Sequence, residues 1–177
     1  MLRKVKLKRR WMLRTMADRH SGGLLIVLGT LIIGFILSQM PLPGMLVWWR
    51  PEWVAMIVIY WVMALPHRFG IGMAWSSGLV LDILKGSLMG MNALSLTIVA
   101  FITLILHKRL RMYPLWQQAM MVLVLVGINQ LIFHWIQSIA GTTGESLIFL
   151  LPAVVSALLW PWVFVVLRGI RRTFHVQ

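Results

Sequence analysis

The stretch Trp75-Ser76-Ser77-Gly78-Leu79-Val80-Leu81-Asp82-Ile83-Leu84-Lys85-Gly86-Ser87-Leu88-Met89-Gly90-Met91-Asn92-Ala93-Leu94 decides how this chain is read. Gly78, Asp82, Gly86 and Gly90 fall four residues apart. On a helix that spacing brings residues to nearly one face. The pattern predicts a groove of small residues holding one carboxylate in an apolar surround. An acid inside such a segment is expensive to bury in lipid and marks a functional position.

The rest of the chain supplies that lipid setting. Of 177 residues 60% are hydrophobic and 12% charged, against roughly 25% charged in soluble domains. The acids are Asp18, Glu52, Asp82 and Glu145 alone. Uncharged runs cover 24–49, 86–106, 112–133 and 146–167, and a run of about 20 apolar residues crosses a hydrocarbon core of about 30 Å. We therefore expect an all-α membrane protein, a bundle of six transmembrane helices at about 22–40, 52–65, 70–84, 89–106, 116–139 and 146–167. The second and third are short, about 21 Å for fourteen residues, and need tilt, burial or the flanking Trp48, Trp49 and Trp53 at the interface. The first apolar run follows a basic stretch as in a signal peptide, but more spans follow it and no small-x-small cleavage pattern stands out. It is expected to be a retained helix.

The net charge of +13 is distributed as in membrane loops, which argues against nucleic-acid binding. Eight Lys and Arg lie in Met1–His20. With the N-terminus in the cytoplasm, Arg68, Lys108, Arg109, Arg111, Arg168, Arg171 and Arg172 join them, fifteen in all, while only Arg50 and Lys85 lie outside. Under the positive-inside rule this predicts cytoplasmic termini and an even number of spans. The chain divides into a basic cytoplasmic segment, 1–21, a six-helix domain, 22–167, and a short basic cytoplasmic tail, 168–177. The basic N-terminal segment is read as an anchor to anionic lipid.

Asp82 has two readings. As an anchor it holds a neighbouring helix, a partner or a ligand; as an interfacial acid it pairs with Lys85, three residues on. The ladder favours the anchor, since small residues let another backbone approach closely. Its expected partners are Lys85, Arg50 or the Asn129–Gln130 pair. Arg50, Glu52 and Trp53 form an outer rim, with Pro51 in the first turn of a helix and Arg50 free to pair with Asp82 or Glu145. Asn129, Gln130 and His134 are polar contacts within the bundle, where interhelical hydrogen bonds are worth roughly 0.6–2 kcal/mol each. Thr142 and Glu145 have capping-box spacing before the last span.

Enzyme chemistry finds little to use. There is no cysteine, which removes disulfides and thiolate chemistry. His20, His67, His107 and His175 lack metal-ligand spacing. No nucleophile motif or phosphate loop is present, and acid–base catalysis normally wants paired titratable groups. We expect no enzymatic activity and no cofactor.

Several motifs together resemble the MreD family of rod shape-determining membrane proteins, over roughly residues 24–177. They are Arg50-Pro51-Glu52-Trp53, Tyr60-Trp61 running to Ala64-Leu65-Pro66-His67-Arg68, the Gly78/Asp82/Gly86/Gly90 ladder with Asn92-Ala93-Leu94, Leu115-Trp116-Gln117-Gln118, and Leu159-Trp160-Pro161-Trp162. The Leu-Pro-His-Arg and Leu-Trp-Pro-Trp patterns look like the proteobacterial branch. The resemblance implies a non-enzymatic component of the cell-elongation machinery in the bacterial inner membrane. It implies binding to MreC and support of lateral peptidoglycan synthesis, with MreB, a RodA-type glycosyltransferase and a class B penicillin-binding protein engaged directly or through MreC. It also implies a helical arrangement similar to the substrate-binding components of energy-coupling-factor transporters. That likeness leaves a second reading open, a small-molecule or lipid-binding subunit with a partly polar pocket open to the outer face.

Overall fold

The computed structural model describes residues 23–41, 49–67, 69–139, 141 and 147–174. The tail Met1–His20, Trp48, Arg68, the Thr142–Glu145 cap and His175 lie outside the described residues. Among the described residues there are six α-helices: α1 (Gly23–Gln39), α2 (Trp53–Ala64), α3 (Ile71–Lys85), α4 (Met91–Met112), α5 (Leu115–Ile139) and α6 (Leu151–Thr173). A 3-10 turn, Leu147–Leu150, leads into α6. Three helices, α4, α5 and α6, are long and apolar enough to cross a membrane. Their exposed side chains include Phe101, Ile105, Val124 and Leu158, apolar surface that water would not favour.

The helices enclose α2. Its sequence, WVAMIVIYWVMA, is apolar on every side, and every residue from Val54 to Ala64 is buried. A helix apolar all round is an interior helix. It touches α3, α4, α5 and α6. On its remaining side Trp61 Nε1 donates to the buried Thr30 hydroxyl of α1, at 2.9 Å. Gly34 of α1 sits against Ile57. At the start of α2 the Glu52 amide donates to Ser156 Oγ of α6 at 2.9 Å. Pro51 thus precedes the helix rather than occupying its first turn, with Glu52 as N-cap.

Two helix ends differ most from the sequence expectation. α4 runs to Met112 and α6 to Thr173, beyond the predicted ends at 106 and 167. His107, Lys108, Arg109 and Arg111 therefore ride on α4, and Arg168, Arg171 and Arg172 on α6, rather than in a loop and a tail. The reason is local: basic side chains suit the negative end of the helix dipole, so a charge cluster there extends a helix as readily as it ends one.

The α4–α5 corner is closed by a buried side chain. Tyr113 is extended ahead of Pro114, as residues before proline prefer. Gln118 Nε2 donates to the carbonyls of Leu110 and Tyr113, both at 3.0 Å. Trp160 Nε1 of α6 reaches Gln118 Oε1 at 3.5 Å. One glutamine thus joins the end of α4, the start of α5 and the middle of α6.

Candidate functional site

The Gly78, Asp82, Gly86 and Gly90 ladder does not lie on one helix face. α3 ends at Lys85, and Gly86 follows in the left-handed conformation at φ +62°. The Ser87 amide bonds back to the Asp82 carbonyl and the Gly86 amide to that of Ile83, the pairing of a Schellman ending. Gly90, at φ +105°, precedes α4. Both glycines are turn residues, and a Cβ on either would meet nothing within 4 Å. Only Gly78 is a close helix contact: a Cβ there would lie 2.2 Å from Ala93 Cα. The four-residue period ran through a helix end that a left-handed glycine supplies.

Asp82 sits where this close approach aims it, 1% exposed. Its Oδ1 accepts from Ser87 Oγ at 2.8 Å, the Asn92 amide at 2.9 Å and Asn92 Nδ2 at 2.8 Å. Its Oδ2 accepts from the Gly90 amide at 2.9 Å and the Ala93 amide at 3.3 Å. The first backbone amides of a helix have no partner inside it. Here a carboxylate from the preceding helix takes up three of them and also faces the positive end of the α4 dipole. Asp82 does not bond Lys85, Arg50 or the Asn129–Gln130 pair. Lys85 faces Glu52 instead, at 3.8 Å, and Arg50 Nη2 donates to the Met40 carbonyl at 3.2 Å.

Beside this knot lies a cavity of about 370 Å³. It brings together Glu52, Lys85, Asn92, Asn129, Gln130 and His134, from the N-cap of α2 and from α3, α4 and α5. His134 stacks on Phe149 with ring centres 4.3 Å apart, and Lys85 Nζ lies 5.9 Å over the Phe133 ring. The sequence expected Asn129 and Gln130 to bond neighbouring helices. Their carbonyl oxygens, Asn129 Oδ1 and Gln130 Oε1, are buried and accept no hydrogen bond. Buried polar atoms without partners are uncommon, and these two border a hollow. Arg50 and Trp53 stand outside the lining; Trp53 opens α2 and packs against the core. Ser87, Ser156 and Phe149 escaped the sequence reading, since single serines and a phenylalanine in apolar runs carry no distinguishing pattern.

The chain matches the model of rod shape-determining protein MreD over residues 18–170. It belongs to the MreD family. A rod shape-determining protein MreD of Haemophilus influenzae is 34% identical over 146 residues, 82% of this chain and 90% of that relative. No solved structure matches. The MreD match takes in Asp82 with its α4 cap and every residue lining the 370 Å³ cavity. Among the described residues no three His, Asp or Glu gather as metal ligands. What the arrangement offers chemically is hydrogen-bond acceptance in a sheltered hollow, next to an ion pair.

Proposed function

We propose that the protein is a multi-pass component of the bacterial inner membrane that maintains rod shape by binding an MreC partner and supporting lateral peptidoglycan synthesis. MreB, a RodA-type glycosyltransferase and a class B penicillin-binding protein associate directly or through MreC. The membership of the chain in the MreD family over residues 18–170 carries this reading. In the membrane, α1, α2 and α3 complete six spans with α4, α5 and α6, and both termini face the cytoplasm. Support for that topology comes from the fifteen-to-two distribution of basic residues. The role is non-enzymatic: Glu52 is paired with Lys85 and Asp82 is consumed in capping α4.

The outer cavity is the proposed seat for the partner, with Arg50 and Trp53 at its approach. Asn129 Oδ1 and Gln130 Oε1 await donors, and filling a buried vacancy of that kind is worth about 1–3 kcal/mol per group. Co-purification of MreC with Asn129→Leu and Gln130→Leu tests it, alongside rescue of rod shape. Reduced MreC recovery at normal membrane levels is expected. Undiminished MreC recovery and full rescue would defeat the assignment. A periplasm-dependent reporter fused after Gln177 should stay silent; activity there would overturn the topology.

The same two unpartnered acceptors favour a second reading, a small-molecule or lipid ligand in the outer cavity. Native mass spectrometry of the chain purified without MreC separates the two. A bound small molecule lost in Gln130→Leu supports the second reading, and an empty bundle supports the first.

A further inference from the structure

At the other end of α2 four arginines surround a single hollow. The extended helices bring Arg111 of α4 together with Arg168, Arg171 and Arg172 of α6, over Tyr60 of α2 and Gln118 of α5, around a half-open cavity of about 360 Å³. That size lies within the roughly 300–1,000 Å³ of small-ligand sites. Among the described residues the acids are Glu52 and Asp82, and both are engaged at the opposite end of the bundle, with Lys85 and with the first turn of α4. No described carboxylate therefore offsets these guanidinium groups, and like charges gathered this closely repel.

Capping of helix ends explains only part of the cluster. The C-termini of α2, α4 and α6 meet here, and Arg111 Nη2 donates to the Ala64 carbonyl at 2.8 Å. Arg171 and Arg172 lie in the last turn of α6, where the dipole favours cations. Arg168 lies above that turn, its guanidinium 5.9 Å over the Phe164 ring. Each guanidinium has five N–H donors, so the bond to Ala64 leaves most of those on Arg111 free. Helix capping also gives no reason for a hollow of this size between the arginines.

We propose that this cavity binds a phosphate or diphosphate group, presented by an anionic lipid headgroup or by a free phosphate. Guanidinium forks match phosphate oxygens two at a time. Tyr60, whose hydroxyl interacts with Arg171, adds a neutral polar group to the lining, and Met63, Ala64 and Phe164 provide apolar wall beside it. Basic hollows between helices at the cytoplasmic edge are where headgroups dock. The inference rests on the topology above only for which leaflet the site faces; the chemistry of the site stands without it and without MreC.

The test uses the full chain, purified alone in an uncharged detergent. Binding of dioleoylphosphatidylglycerol, with dioleoylphosphatidylcholine as the neutral comparison, is followed by native mass spectrometry. Binding of inorganic pyrophosphate is followed by thermal shift. Saturable binding of at least one anionic probe is expected, weakened at least about tenfold in Arg168→Gln/Arg171→Gln. Arg172→Gln, at the rim of the helix end, should weaken it with an unchanged melting temperature in the absence of probe. Arg109→Gln, outside the cavity lining, should bind as wild type. Phosphatidylglycerol binding that pyrophosphate does not displace identifies a headgroup site, and displacement identifies a general phosphate site. Absence of saturable binding by both anionic probes would overturn the proposal. So would equal loss in Arg109→Gln and Arg172→Gln, or equal binding of phosphatidylcholine. A failed reporter topology would move the site to the other leaflet and leave these binding results untouched.

Discussion

Replacing Gly78 by alanine adds one methyl group where the backbone of α4 already stands. The new Cβ would fall 2.2 Å from Ala93 Cα, 2.5 Å from Ala93 N and 2.6 Å from the Asn92 carbonyl oxygen. Non-bonded carbons rest at about 3.5 Å or more, so α3 and α4 must part by roughly 1.3 Å at this point. The neighbours are backbone atoms, which cannot turn aside as a flexible side chain would. One turn further along the same interface, Asp82 makes five bonds of 2.8–3.3 Å to Ser87, Gly90, Asn92 and Ala93. An opening of that size carries most of them past the useful hydrogen-bond limit. Overpacking costs about 1–3 kcal/mol and a lost bond to a charged group about 1.5–3 kcal/mol. One of each gives roughly 2.5–6 kcal/mol, a large part of a marginal stability. The measurement is thermal unfolding of the full chain in detergent by tryptophan fluorescence, with Gly127→Ala of α5 as the matched control. Gly127 has nothing within 4 Å of its Cβ position, and alanine there should help the helix by up to about 1 kcal/mol. If Gly78→Ala melts with Gly127→Ala, the close approach of α3 to α4 is wrong.

Three further outcomes are expected. Asp82→Leu should lower membrane accumulation and the melting temperature severely, since it strands the α4 amides at about 1–3 kcal/mol each. Asp82→Asn should be intermediate, because its amide NH₂ would face N–H donors that Oδ1 or Oδ2 now accept; equal melting of the two variants would contradict this. Gly90→Ala should destabilise through its backbone rather than through crowding, by about 1–2 kcal/mol, and Gly86→Asn should be milder than Gly86→Ala because asparagine tolerates the left-handed region. An unchanged melting temperature for Gly90→Ala would refute the turn geometry. Thr30→Val should cost about 1–3 kcal/mol by leaving Trp61 Nε1–H unpaired in the core, and a melt identical to wild type would show that α1 is held some other way.

Helix order and most helix positions were legible in the apolar runs, because burial and lipid both demand them. Local charge misled at two ends. Arg168, Arg171 and Arg172 read as a tail, yet their three- and four-residue spacing is that of one helix face, and this signal predicts the arginine-lined cavity once it is heeded. The ladder misleads for the opposite reason: its regular period runs through Gly86, where a glycine after Lys85 also fits a helix end. The partners of Asp82 were not legible. Side-chain candidates can be counted in a sequence, but backbone amides of a following helix turn carry no letter of their own. Gln130 and His134 stand four residues apart, so their shared helix face is readable, whereas the missing donors to Asn129 and Gln130 depend on how far apart four helices stand.

The enclosure of α2 has a consequence for how the protein is made. Chains emerge N-terminus first, and α2 leaves the ribosome before four of the five helices that surround it. At twelve residues it spans about 18 Å, short of a hydrocarbon core of about 30 Å, so it gains little by inserting alone. Its lodging is assembled later. The Ala64 carbonyl waits 47 residues for Arg111, and the Glu52 amide waits 104 residues for Ser156. Until α6 arrives, the flank of α2 that α6 covers stays open. Completion of this lodging therefore falls to α6, and removing α6 should abolish accumulation abruptly rather than by degrees.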